Sequence, residues 1–336
     1  MTLDIATIGF GEAASTFAPG WRGVGAAVRA YDIKLDQPLY RSAMAQTLRA
    51  HDVNQCATLA DAVSGPGCII SLVTADQALA VAQAAAESIS AASLWFDMNS
   101  VSPHTKRAAG ALIEGAGGLY VDVAVMSPVE PARLAVPLLV SGRHASAGAA
   151  ALTQLGFSNV RIVPGDIGRA SAIKMIRSVM VKGIEALTAE CVLAAEQAGV
   201  LDEVIASLDA SWPGADWGFR ADYNLDRMLA HGTRRAAEME EVVKTLDTLG
   251  TGSQMSRSTA ERQRALGALG IVPAAGLPAK LAALALAAPV TRPLPDATAQ
   301  GGAARVPGGH PTPEAAAFPG GKDVRRVDVR MGESQP

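Results

Sequence analysis

Ile8-Gly9-Phe10-Gly11-Glu12-Ala13-Ala14 is the stretch on which the reading of this chain turns. Residues 3–10 form a short apolar run of the kind a buried parallel strand requires. The stretch that follows Gly11 is compatible with a helix to about residue 24. A second apolar run, residues 26–33, carries Tyr31-Asp32 near its end, so an acid falls about twenty residues beyond the glycines. Each small residue has a physical task in this arrangement. Gly9 permits a tight turn, Gly11 lets backbone approach a diphosphate, and Ala14 lets helix pack on strand. The free N–H groups of the helix start complete an anion site. A glycine turn alone is weak evidence, but strand, turn, helix and acid in this order are the context that a dinucleotide site requires. Phe10, Glu12 and Ala13 belong to the same turn.

Outward from the turn, short apolar runs recur at residues 68–73, 94–98, 120–125, 136–141 and 160–163. Helix-compatible stretches lie between them at 37–49, 75–90 and 105–114. Strands alternating with helices predict an α/β fold, an N-terminal Rossmann domain with a doubly wound parallel sheet. The pattern changes after Gly168. Residues 170–198 lack proline and carry Ile173, Ile176, Met180, Ile184 and Leu187 on several faces, which predicts one long helix of roughly 40 Å buried within an assembly. Residues 201–208, 223–249 and 256–269 read as further helices. Trp212, Trp217, Phe219 and Tyr223 read as helix-packing core. From residue 289, proline, glycine and alanine dominate without apolar periodicity. The expected organisation is a Rossmann domain over 1–168, an all-α substrate and dimerisation domain over 169–270, and a linker with a disordered tail over 271–336.

Composition narrows the function classes. The 336 residues are 49% hydrophobic and 18% charged, enough apolar material for a globular two-domain protein. A net charge of −3 gives no basic field for nucleic acid or anionic membrane. No uncharged apolar stretch reaches spanning length, and no basic and apolar leader opens the chain. The three cysteines, Cys56, Cys68 and Cys191, form no CxxC pair and no metal-ligand spacing, which suits a reducing cytoplasm. Cys68 and Cys191 read as small core hydrophobes. No metal is expected.

Further along, four landmarks fall in order: the glycine turn with Asp32, then Asp97-Met98-Asn99-Ser100-Val101-Ser102-Pro103, then Asp122-Val123-Ala124-Val125-Met126-Ser127-Pro128, then Gly165-Asp166-Ile167-Gly168 leading to Lys174. On these, the chain resembles the β-hydroxyacid dehydrogenase superfamily, which includes 3-hydroxyisobutyrate and 6-phosphogluconate dehydrogenases. The resemblance covers residues 3–270. The stretch His231-Gly232-Thr233-Arg234-Arg235-Ala236-Ala237-Glu238-Met239 resembles a subgroup whose C-terminal helical domain differs from the better-known members. The resemblance implies hydride transfer between NAD(P) and the carbinol carbon of a small hydroxy acid or related alcohol, with Lys174 as general acid/base. It also implies that the 97–103 loop and the Asp122–Pro128 segment (residues 122–128) orient substrate.

The residues themselves bear on those roles. Lys174 begins a strongly apolar helix, where desolvation lowers a lysine pKa toward useful values, although surface lysines of helices also snorkel. Asp32 favours NAD, because its carboxylate accepts ribose hydroxyls and repels a 2′-phosphate, whereas Lys34 and Arg41 could neutralise one. Val73 and Thr74, at the end of the third apolar run, complete the candidate cofactor set. Asn99, Ser100, Val101, Met126 and Ser127 are candidate substrate residues. Ser102-Pro103 reads as a helix cap followed by a first-turn proline, with Ser100 facing the site and His104 structural or exposed. His231 and Arg235 (or Arg234) share a helix face and either clamp an anionic substrate or pair with Glu238, Glu240 and Glu241 as a solvated face.

Two departures from the family pattern matter. Ser178 stands where asparagine is usual, one turn after the lysine, and is the second candidate catalytic residue. Pro128 removes an N–H from the substrate segment. The first leaves open an imine reductase or reductive aminase; the second leaves open a non-catalytic dinucleotide-binding protein. A homodimer built around the long helix is the expected assembly.

Overall fold

The computed structural model describes residues 4–287. Its first half alternates β1 (Asp4–Ile8), α1 (Glu12–Gly23), β2 (Ala27–Tyr31), α2 (Pro38–Ala50), β3 (Asn54–Gln55), α3 (Leu59–Val63), β4 (Cys68–Ser71), α4 (Ala78–Ala86), β5 (Leu94–Asp97), α5 (Pro103–Gly115), β6 (Leu119–Val125), β7 (Leu138–Ser141), α6 (Ala145–Gln154) and β8 (Val160–Ile162). The strands form one sheet in the order β3-β2-β1-β4-β5-β6-β7-β8. The order reverses between β1 and β4, and in such sheets ligands bind outside the carboxyl ends of the strands at that switch.

The Rossmann expectation is met, with one refinement. β7 runs antiparallel to β6, pairing Asp122 with Ser141 and Val125 with Leu138, whereas all other neighbours are parallel. Residues 126–137 between these strands contain only a short 3₁₀ turn at Arg133–Ala135. A parallel return needs a longer crossover, usually a helix; an antiparallel one does not. The strands β1, β4 and β5 are buried on both faces. Ile5, Phe17, Trp21, Phe96 and Phe157 fill one side, and Ile8, Ile69, Trp95 and Tyr120 the other.

The second half is helical: α7 (Arg169–Ala198), α8 (Leu201–Ser211), α9 (Trp217–Leu249), α10 (Gln254–Gly267) and α11 (Leu277–Leu286). The 30-residue α7 is the expected long helix. It packs on β6, β7 and α5 at one end and on α9 and α10 along its length, and so ties the two halves together. At the α9–α10 crossing the backbones touch. A Cβ on Gly232 would lie 2.3 Å from the Gln263 carbonyl and 2.8 Å from Gly267. α11 corrects the expected linker over 271–336. Its composition is mostly alanine and leucine, yet Leu281 and Leu284 bury against Leu225 and Met228. Lys280 donates to Asp222 at 2.7 Å. The expected tail over 289–336 lies outside the described residues.

Two smaller expectations are also corrected. Trp212, Phe219 and Tyr223 are exposed rather than core, with Trp212 edge-on to Trp217 and Arg220 over the Trp217 ring. Cys191 is exposed on α7, while Cys68 is buried in β4. Among the described residues no helix is long and apolar enough to cross a membrane. None of their His, Cys, Asp and Glu side chains cluster in threes placed to hold a metal ion.

Candidate functional site

Gly9 leaves β1 with φ +87°, a conformation that glycine alone adopts without strain. A Cβ there would stand 2.4 Å from the Leu72 carbonyl oxygen, so the turn can pass β4 only as glycine. Gly11 is the N-cap of α1 and supplies no side-chain cap, while a Cβ added to it would meet nothing within 4 Å. No side chain therefore caps the first N–H groups of α1. Ala14 is fully buried where α1 meets the sheet. Beneath the turn, Asp32 accepts from the Phe10 N–H at 2.8 Å and the Lys34 N–H at 2.9 Å. Its carboxylate thus joins the turn to the end of β2 and keeps further lone pairs for a ligand. This open cradle, with donors at its helix end and an acid at its strand end, fits a dinucleotide. Lys34 is exposed, and the Arg41 Nε is held by the Leu35 carbonyl at 2.6 Å. Elsewhere, a shallow hollow lies against Asp4, Ala27, Arg29 and Asn54 beside the starts of β1 and β2.

The loops after β4 and β5 are stitched together by Asn99. Its Oδ1 accepts from the Val73 N–H at 2.7 Å and its amide donates to Ser71 Oγ at 2.9 Å. Asn99 is buried, so the structure gives it a supporting position beneath Val73-Thr74. Val101 is fully buried as well. Ser100, between them, remains partly open and accepts from Lys174 Nζ at 2.5 Å. Ser102 caps α5 through the Thr105 N–H, Pro103 follows, and His104 is exposed.

Lys174 sits in the second turn of α7. Its exposure is intermediate, but enough protein surrounds the ammonium for desolvation to dominate, and burial lowers its pKa from 10.5 to about 8. The negative charge of Glu238 opposes that fall; Lys182, Lys106 and Arg234 add to it. Ser178, one turn on, donates its hydroxyl to the Lys174 carbonyl at 2.9 Å. That bond satisfies the serine within its own helix, away from the Lys174 ammonium.

The start of α7 is anchored by a buried polar cluster that sequence reasoning did not assemble. Asp122 Oδ2 accepts from the N–H groups of Gly168 (3.0 Å) and Ser171 (3.3 Å) and from Ser141 Oγ (3.0 Å). Lys106, fully buried on α5, lies 3.0 Å from Asp97 Oδ1 and 3.4 Å from Asp122 Oδ1. The Tyr120 hydroxyl donates to Asp97 at 2.6 Å, and burial followed by the two aspartate charges holds that phenol well above its ordinary pKa. A carboxylate at a helix start is favoured by the helix dipole. Nothing near Lys106 in sequence distinguishes it from a solvated helix lysine. Its partners lie on two strands.

The face of α9 differs from the expected one. Arg235 turns toward α7 and α10, where Glu185 binds its guanidinium and also accepts from Gln263 at 2.9 Å. Arg235 is thus committed inside the helical domain rather than to a substrate clamp. The face directed at the Rossmann domain carries Arg227, His231, Arg234, Glu238 and Glu241, at alternating spacings of four and three. Arg234 reaches Glu12 at 3.1 Å, and Lys182 donates to Glu238 at 2.7 Å. Glu241 accepts from the Ser102 N–H at 2.7 Å and Thr105 Oγ1 at 2.9 Å. Burial tends to raise the Glu238 pKa, but Lys182 and then Lys174 overcome this and bring it to about 2. Burial lowers the His231 pKa, helped by Arg227 and Arg234. The alternative of a solvated face is not met either, because Glu238 and Glu241 are largely enclosed. Met126 packs on Ala124, Leu139, Val163 and Ala170, and Ser127 is exposed.

The chain is similar in sequence and fold to known proteins. The model of the NAD binding domain of 6-phosphogluconate dehydrogenase matches residues 4–155, and a domain of unknown function, DUF1932, matches residues 195–266. A conserved hypothetical protein from Sinorhizobium meliloti is 37% identical, covering 86% of this chain and 97% of its own, with a TM-score of 0.64. A conserved protein of unknown function, described as structurally similar to 3-hydroxyacid dehydrogenases, is 30% identical over 79% of this chain and 99% of its own, with a TM-score of 0.59. The chain belongs to the β-hydroxyacid dehydrogenase superfamily. Within that superfamily its helical domain is of the divergent kind. The fold is shared with a Mycobacterium tuberculosis 3-hydroxyisobutyrate dehydrogenase at 18% identity, over 84% of this chain and 99% of that one, with a TM-score of 0.65.

Proposed function

We propose that this superfamily member transfers a hydride between a nicotinamide dinucleotide and the carbinol carbon of a small, anionic hydroxy acid or related alcohol, with Lys174 moving the hydroxyl proton. The observation that carries the reading is the Lys174–Ser100 contact beside the carboxyl ends of the central strands, with the lysine pKa lowered to about 8. Such a lysine populates both forms near neutral pH, as a group must that both accepts and returns a proton. When bound, the nicotinamide supplies the hydride acceptor or donor.

The chain's residues divide the remaining work. In the oxidative direction the neutral Lys174 amine takes the hydroxyl proton, and Ser100 Oγ, in contact with that amine, holds the hydroxyl in line. Gly9, Gly11 and the α1 start carry the diphosphate, with Phe10, Glu12, Ala13 and Ala14 forming the rest of the turn. Val73 and Thr74, fixed by Asn99, border the ring end. Asp32 supports NAD over NADP, since its charge stands where a 2′-phosphate would come. Met126 and His231 border the substrate side, where Lys182 and the protonated form of Lys174 supply the positive charge an anionic substrate requires. Ile176, Met180 and Leu187 form an exposed apolar stripe on α7, and we assign it to a homodimer contact, tested by sedimentation of wild type against Met180→Glu.

The test is a scan of short hydroxy acids with NAD⁺ and NADP⁺, following reduced cofactor, in wild type and Lys174→Ala. Loss of turnover in the variant with cofactor binding intact is expected; full turnover in it defeats the mechanism. The internal bond of Ser178 favours a second reading, reductive chemistry on a C=N substrate, because no amide accompanies the lysine. Turnover of cyclic imines with reduced cofactor, and none of hydroxy acids, would establish it.

A further inference from the structure

Glu12 is an unusual neighbour for a diphosphate. It is the first residue of α1, directly after the N-cap Gly11, so its carboxylate stands beside the N–H groups that form the anion site. A fixed negative charge there repels the two charges of a diphosphate. Among the described residues its ion-pair partner is Arg234, whose Nη1 lies 3.1 Å from Glu12 Oε2. Arg234 comes from the other domain, on the α9 face that also presents Arg227 and His231. It is anchored from behind by Glu238, 3.9 Å from its Nε. Roughly two-fifths of the Arg234 and Glu12 side-chain surfaces remain exposed, so both can be reached by a ligand (43% and 45%).

We propose that Arg234 is the second half of the diphosphate site, supplied by the helical domain. It offsets Glu12 and, when a dinucleotide enters, donates to a phosphate oxygen, so that the cofactor is gripped between the glycine turn and α9. This rests on the dinucleotide reading of the glycine turn. The guanidinium suits the task because its planar fork binds two oxygens at once and a diphosphate outcompetes a single carboxylate in charge. The same side chain touches Glu238, which holds Lys182 and raises the basicity of Lys174.

The inference is tested by binding, on the full chain, with NADH fluorescence and with calorimetry of ADP-ribose and adenosine. For Arg234→Ala the expected result is about tenfold weaker binding of NADH, the value of one charge-assisted bond at a partly exposed site. ADP-ribose shows the same loss, and adenosine, without the diphosphate, shows none. Glu12→Gln added to Arg234→Ala recovers part of the loss, because it removes the charge that Arg234 offset. Arg234→Lys, which keeps the charge, retains more binding than Arg234→Ala, as a merely structural role would not require. If Arg234→Ala fails to fold, Arg234→Gln is read in the same way. Arg234 variants that bind NADH as wild type does overturn the inference and leave the dinucleotide reading standing. Wild type that binds neither NADH nor NADPH overturns both.

Discussion

Replacing Lys174 by methionine removes a charge but keeps a long flexible stem, and it is expected to make the protein more stable at neutral pH while abolishing its chemistry. The magnitude follows from the site. Burial brings the lysine pKa from 10.5 to about 8, which corresponds to roughly 3 kcal/mol of extra cost for holding the charged form in the folded state. Methionine escapes that cost but loses the bond to Ser100 Oγ, worth about 1 kcal/mol. The net expectation is a gain of about 2 kcal/mol near neutral pH. The pH dependence has a definite sign. With the folded pKa below the unfolded one, the unfolded chain binds more protons between about 8 and 10.5, so wild type gains stability as pH rises through that window. Lys174→Met lacks this gain, and its advantage over wild type disappears toward alkaline pH. Paired urea titrations at several pH values read the difference, and groups that titrate identically in both proteins cancel. A variant less stable than wild type at neutral pH, or a gap that does not change with pH, would refute the reasoning.

Three other perturbations probe the parts of the site separately. Gly9→Ala places a Cβ 2.4 Å from a backbone oxygen at φ +87°, and dinucleotide affinity measured by NADH fluorescence should fall at least about tenfold. Asp122→Ala leaves two helix N–H groups and Ser141 without their acceptor and strips Lys106 of one counter-ion. The expected loss is about 3–5 kcal/mol by denaturant titration, and a loss below about 1 kcal/mol contradicts the anchoring role. Glu238→Gln removes the negative charge that holds up the Lys174 pKa. The ionisation governing kcat/KM should therefore move to lower pH; movement to higher pH would count against the assignment.

The parts of this molecule that the sequence announced are those encoded by contiguous residues. The glycine turn was legible because Gly9, Gly11 and Ala14 each answer a local steric demand, and Asp32 falls at a distance set by one helix and one strand. Lys174 was legible only through the order of landmarks around it. What stayed hidden depends on direction and on distant partners. No residue type marks β7 as antiparallel; the short connection after β6 decides it. Arg234 and Arg235 are one residue apart, about 100° around a helix, and only packing reveals that the first faces the glycine turn while the second meets Glu185. Lys106 is buried because Asp97 and Asp122 lie on neighbouring strands, and Glu241 reaches Ser102 from 139 residues away. α11 was obscured by its alanine-rich composition, although Leu281 and Leu284 complete the core of the helical domain.

The central claim is that a dinucleotide bound on the glycine turn brings its nicotinamide to Lys174. A crystal structure with NAD⁺ or NADH bound tests it most directly. The account predicts the diphosphate on the N–H groups of the α1 start, between Gly11 and Arg234, with the ring bordered by Val73 and Thr74 and its reactive face toward Lys174 and Ser100. A dinucleotide seated elsewhere, or a ring turned away from Lys174 with that side chain beyond reach of a substrate on its face, would contradict it.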